Sequence, residues 1–164
     1  MELTKYQCHM QNSSIILSDR CRYRDDRPKC KVVIIYEDNA AGRRAKHFCD
    51  EVIWELVDAC DISLDLWNFQ VLGLFQVADT ALKAAARADV VILSMHGTAE
   101  LPATTKDWIE RWSQRIADSM PMLVALVTPA KTERGTVAST LSYLRSLADE
   151  NQICFWANTT FLSV

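Results

Sequence analysis

The sequence lacks the loops by which most nucleotide sites announce themselves. It contains neither G-x-G-x-x-G nor G-x-x-x-x-G-K-[ST], so neither glycine cradle for phosphate is present. It has little net charge: 18 basic against 21 acidic residues leave −3, which argues against a nucleic-acid binder working through a strongly basic surface. It has no long apolar run. The longest lies within Met120 to Val127, far short of the roughly 20 residues a membrane span needs. The start, Met1-Glu2-Leu3-Thr4-Lys5, shows no basic-then-apolar signal pattern, so a cytoplasmic protein is expected, without membrane or nucleic acid as partner. Six cysteines (Cys8, Cys21, Cys30, Cys49, Cys60, Cys154) form no C-x-x-C pair, and no His stands at ligand spacing from two of them. No metal and no cofactor are expected. Cys49 and Cys154 read as small buried hydrophobes.

What is there is ordinary globular composition, 49% hydrophobic and 24% charged over 164 residues, enough for one domain with a sizeable core. Residues 1–29 differ from the rest. They are polar and charged apart from Ile15-Ile16-Leu17, and Pro28 closes them, so they read as an N-terminal extension to a single domain over 30–164.

From Lys31 onward apolar runs alternate with amphipathic segments. Val32–Tyr36, Val90–Leu93 and Met122–Val127 are apolar at successive positions, as strands covered on both faces must be. Ile62 to Trp67 instead alternates with Ser63 and Asp65, the pattern of an edge strand. A fifth strand is expected over Ile153–Ala157. Between them, helical spacing predicts helices over about 40–59, capped by Asp38 or Asn39, and about 75–88. A third is opened by Thr104 or Thr105 with Trp108, Ile109, Trp112 and Ile116 inward, and a fourth carries Val137, Leu141, Leu144 and Ala148. Strands alternating with helices imply a parallel sheet with right-handed crossovers. One alternating strand among apolar ones gives the order 2-1-3-4-5, a three-layer doubly wound α/β fold of the flavodoxin-like type.

That order places helix 1 on one face and helices 2 to 4 on the other. The usual return helix after strand 5 is missing, since only Asn158 to Val164 remain. Half of one face is then expected to be bare, covered either by residues 1–29 folding back with Ile15 to Leu17 against it or by a second subunit, and the second is favoured. The expectation is a homodimer through that face, with a further protein partner open.

Ligands of open parallel sheets bind beyond the C-terminal strand ends, near the switch point. The candidate ligand-site residues arriving there are Glu37, Asp38, Asn39, Arg43, Ser94, His96 and Thr128. The two carboxylates stand where a flavin phosphate would need N–H groups and no negative charge, which weakens a flavin site. Arg43 and Arg44 oppose the dipole of the first helix turn, so a negative neighbour is expected, either Glu37 and Asp38 or an anionic ligand. Ser94 beside His96 has the residue types of nucleophile and base, without an acid visibly placed to orient the His.

Ile34-Ile35-Tyr36-Glu37-Asp38 and Val127-Thr128-Pro129-Ala130-Lys131 resemble the first strand with its acidic pair and the strand-4 end of response-regulator receiver domains. That resemblance implies an aspartyl-phosphate switch, but Ser94 stands at the phosphoacceptor position and Asn158 at the Lys position. The implied receiver is therefore degenerate and takes no phosphoryl group there. The run from Ala78 to Ser94, with Trp108 and Glu110 beyond, is similar to Toll/interleukin-receptor domains, some of which cleave NAD with that Glu. Two functions follow as expectations: a non-enzymatic signalling or interaction domain, or a nucleotide- or NAD-processing enzyme.

Overall fold

The computed structural model describes residues 28–54, 60–116, 120–128 and 134–159. The extension expected over 1–29, with Cys8 and Cys21, lies almost wholly outside the described residues. The elements run β1 (Lys29–Tyr36), α1 (Asn39–Trp54), β2 (Asp61–Asn68), a 3₁₀ turn (Phe69–Gly73), α2 (Phe75–Ala86), β3 (Val90–His96), α3 (Ala103–Ser113), β4 (Met122–Thr128), α4 (Arg134–Glu150) and β5 (Cys154–Asn158). All pairings are parallel, in the order β2-β1-β3-β4-β5. This is the flavodoxin-like three-layer fold expected from the patterning.

The apolar runs occupy the centre of the sheet. Ile34 registers with Ile92, and Ile92 with Val124, all three buried. Odd positions of β1 (Val33, Ile35) join Val91, Leu93, Leu123, Ala125 and Phe155 under α2, α3 and α4, while even positions (Val32, Ile34) join Ala45 and Cys49 of α1. Each central strand thus feeds two cores, which is why its sequence does not alternate. The α2 face is almost all alanine: Ala78, Ala81 and Ala85 with Leu82. That shallow face receives the Trp108 and Trp112 rings of α3, whose indole N–H groups donate to the carbonyls of Ala78 (3.1 Å) and Ala85 (3.0 Å).

Three expectations need correction. Neither Thr104 nor Thr105 caps α3, because Pro102 precedes the helix and Thr105 is buried inside it. Cys154 is half-buried on an edge strand rather than buried, whereas Cys49 is buried as expected. The α1 face of the sheet is also less bare than expected. Val124 and Leu126 are buried, because Phe48 of α1 reaches across the sheet and stacks on Trp156 with ring centroids 5.5 Å apart. What stays exposed there is Leu66 of β2 at 44% and Trp156 at 39%, at the two edges, with Cys154 and Met122 partly open. Among the described residues no helix follows β5.

α4 ends in a Schellman turn. Ile153 N–H donates to the Ala148 carbonyl (2.8 Å) and Gln152 N–H to that of Asp149 (3.4 Å), with Gln152 at φ 57°. A non-glycine residue is strained in that left-handed position. Gln152→Gly is therefore expected to stabilise the chain by about 0.5–1 kcal/mol, less the added freedom of the unfolded glycine, and a urea midpoint measures it. A fall in that midpoint would contradict the strain.

Candidate functional site

The β1–α1 loop fixes the site. Glu37 N–H donates to the Ser94 carbonyl (3.0 Å), which extends the β1–β3 pairing one residue past the strand. Asp38 then caps α1, its Oδ1 accepting from the Ala41 N–H at 2.8 Å. Of the two capping candidates it is Asp38 that caps, and Asn39 lies exposed at the first helical position.

Around that cap the polar side chains satisfy one another. The Glu37 carboxylate accepts from the His96 backbone N–H at 2.6 Å. The Asp38 carboxylate lies 3.0 Å from His96 Nε2. The Ser94 hydroxyl, fully buried, donates to the Ala41 carbonyl at 2.8 Å. Arg44, which was not among the candidates, holds the centre: its Nη2 donates to the Met95 carbonyl (2.8 Å) and to Ser94 Oγ (3.3 Å). Burial draws the Arg44 pKa down, and the charges of Asp38 and Glu37 pull it back up. The charges of these two carboxylates act on Arg44, the inner arginine of the pair, without an ion pair to either among the described residues. Arg43 points to solvent.

The helix phase carries the signal that separates the two arginines. Ala41, Ala45 and Cys49 are the buried positions of α1, and Arg44 flanks that stripe at i+3 from Ala41, whereas Arg43 is turned about 100° away. The acid that the Ser94–His96 pair lacked in sequence is Asp38. It orients the imidazole, but the Ser94 proton is committed to Ala41 rather than to His96, so the three groups do not form a nucleophile relay.

Thr128 sits apart from this cluster. Its carbonyl accepts from the Gly97 N–H at 2.7 Å, and with Arg44, Phe48, Glu51, Leu126, Val127 and Asn158 it lines a cavity of about 50 Å³. Gly97 is there because a Cβ would collide with Val137 Cγ2 and lie 3.2 Å from the Thr128 carbonyl oxygen. Arg44 Nε is buried, with no hydrogen-bond partner among the described residues. Among the described residues no group of three or more His, Cys, Asp or Glu side chains is placed to hold a metal ion.

Glu110, the position that the Toll/interleukin-receptor resemblance implies as catalytic, lies two turns along α3, away from the C-terminal strand ends. Its Oε1 accepts from the Tyr143 hydroxyl at 2.9 Å, and burial followed by that carboxylate raises the Tyr143 pKa. Trp108 is a core residue, 1% exposed.

The Asp38 carboxyl is held below its ordinary value of 3.8, first by the Ala41 N–H and then by His96. A depressed carboxyl pKa stabilises the fold above the unfolded value, and that contribution is lost as pH falls through the folded one. Asp38→Ala removes the cap and is expected to cost about 1 kcal/mol at pH 7. In acid titrations followed by circular dichroism below about pH 4, the wild type should approach the variant. A pH-independent difference would show that the cap acts without its charge.

No protein-family model matches the chain, and no curated protein matches it. Among solved structures it is similar to the Trp repressor binding protein from Bacillus subtilis, with a TM-score of 0.51 and 10% identity over 79% of this chain and 83% of that one. It is also similar to Smu.1420 from Streptococcus mutans UA159, with a TM-score of 0.49 and 13% identity over 82% of this chain and 89% of that one. At such identities the likeness concerns the fold alone. Among the described residues no helix is long and apolar enough to cross a membrane.

Proposed function

We propose that this chain is a protein-interaction domain of the signalling type, without phosphoacceptor chemistry, and that a second copy meets it around Trp156 on the α1 side of β5. The observation that carries this reading is the closed crevice. Glu37, Asp38, Ser94, His96 and Arg44 bond to one another at the strand ends, where flavodoxin-like domains receive ligands. The adjoining cavity of about 50 Å³ is small beside the roughly 300–1,000 Å³ of small-molecule pockets. Ser94, at the receiver phosphoacceptor position, is a buried hydroxyl rather than an accessible carboxylate. Burial raises the Cys30 and Cys49 thiols to about 11, which fits cysteines kept reduced in a cytoplasm.

The test incubates the full chain separately with NAD, FMN and acetyl phosphate, following nicotinamide release, melting temperature and incorporated phosphate. No turnover, no shift and no phosphate are expected. Nicotinamide release abolished by Glu110→Ala would replace this reading with the NAD-cleaving one, and a melting shift with FMN would reopen the crevice as a binding site.

A further inference from the structure

The two edges of the sheet differ in chemistry. β2 carries Asp61 and Asp65, with Lys31 Nζ 3.5 Å from the Asp65 carboxylate, so charge guards that edge. β5 reads Cys-Phe-Trp-Ala-Asn, without a charge or a proline. Among the described residues no strand pairs with its outer side, and Trp156 is 39% exposed. An uncharged, apolar edge is a template for another strand.

We infer that the strand it accepts is β5 of a second copy, antiparallel, with a twofold axis at Trp156 that makes one sheet of ten strands. This rests on the interaction reading above and gives it a surface. Centring the pair on Trp156 sets Phe155 opposite the second copy's Ala157 and Cys154 opposite its Asn158. Phe155 then faces the smaller Ala157 on both sides of the axis and Trp156 pairs with its own copy on it, so β5 pairs with itself in this register without a buried charge.

Charge points the same way. α4 ends in Asp149-Glu150 with no basic residue in its last turn, so both carboxylates face the negative end of their own helix dipole. Arg145 Cζ lies 5.9 Å from the Phe155 ring centroid, which sets the C-terminal half of α4 alongside β5. The twofold axis therefore lays the two α4 helices side by side and antiparallel. Each Asp149-Glu150 pair then meets the positive N-terminal end of the other helix. On the flank of α4 that Arg145 marks as facing β5, Ala138 is small and exposed and Leu141 is half-buried, so that flank offers an apolar contact beside the Arg145 side chain.

Sedimentation velocity of the full chain over a concentration series tests this. A dimer is expected, weakened roughly ten-fold or more by Trp156→Lys, which sets like charges at the axis. Ala138→Arg on the exposed β5 flank of α4 is expected to weaken it similarly, with circular dichroism unchanged in both variants. Glu150→Lys is expected to weaken the dimer while raising the melting temperature of the dissociated chain, opposite signs that a role within one chain does not produce. A dimer indifferent to all three variants overturns the β5 axis and leaves a second copy docking elsewhere. A monomer at every concentration overturns both. A monomer with β5 amides protected from hydrogen exchange assigns the edge to another segment of the same chain and overturns the pairing.

Discussion

Trp112→Ala is expected to destabilise the chain by about 3–5 kcal/mol, a large part of the roughly 5–15 kcal/mol available to a domain. The ring is fully buried between α3 and the alanine face of α2, and its N–H donates to the Ala85 carbonyl. Alanine faces alanine in the variant, so neither helix has a side chain long enough to close the gap, and the cavity term is felt in full. Unfolding by urea should show a midpoint shifted to much lower denaturant with little change in slope. The melting temperature should fall by on the order of 10 °C. Trp112→Phe restores most of the volume and loses only the indole donor, so about 1–2 kcal/mol is expected. Equal losses from the two variants would place the energy in the hydrogen bond rather than in packing. A negligible loss from alanine would mean the α2–α3 seam is not part of the cooperative core.

The same seam shows what sequence patterning reaches. Trp108, Ile109 and Trp112 recur at helical spacing, and all three are buried. The strand order was legible because burial on two faces suppresses alternation in β1, β3 and β4 and leaves it in β2 through Ser63 and Asp65. Directions of polar side chains were less legible. Two adjacent arginines look alike in sequence, and only the phase set by Ala41, Ala45 and Cys49 distinguishes Arg44 from Arg43. The 3₁₀ turn was missed because one turn carries no periodicity, although Asn68, whose side chain accepts from the Gln70 N–H, is a local cap signal. The span of Phe48 was missed for another reason. Periodicity tells which way a residue faces but not how far a long ring reaches over its neighbours, so the bare sheet was overestimated.

Arg44→Ala carries the second large effect, and it separates two roles for the closed crevice. Arg44 donates to the Met95 carbonyl and to Ser94, and it is the cation beside Glu37 and Asp38. Removing it leaves the Met95 carbonyl and Ser94 without this donor and takes a cation from the field of two carboxylates, which for a fully buried group would cost about 3–5 kcal/mol. Arg44 is only half-buried, so solvent screens part of that and about 2–3 kcal/mol is expected. Arg44→Lys keeps the charge but replaces the fork with a point charge, and should recover about half. The cavity next to Phe48 widens in the alanine variant. If Arg44 is a structural plug, the variant loses stability at every ligand condition, and small anions such as acetate or inorganic phosphate do not alter the wild-type melting temperature. If Arg44 is instead a clamp for an anion, phosphate raises the wild-type melting temperature and leaves Arg44→Ala unmoved. The hydrogen bonds that already hold its Nη2, and the three carboxylates of Glu37, Asp38 and Glu51 around it, favour the plug. A phosphate-dependent stabilisation lost in Arg44→Ala would overturn that and with it the closed crevice.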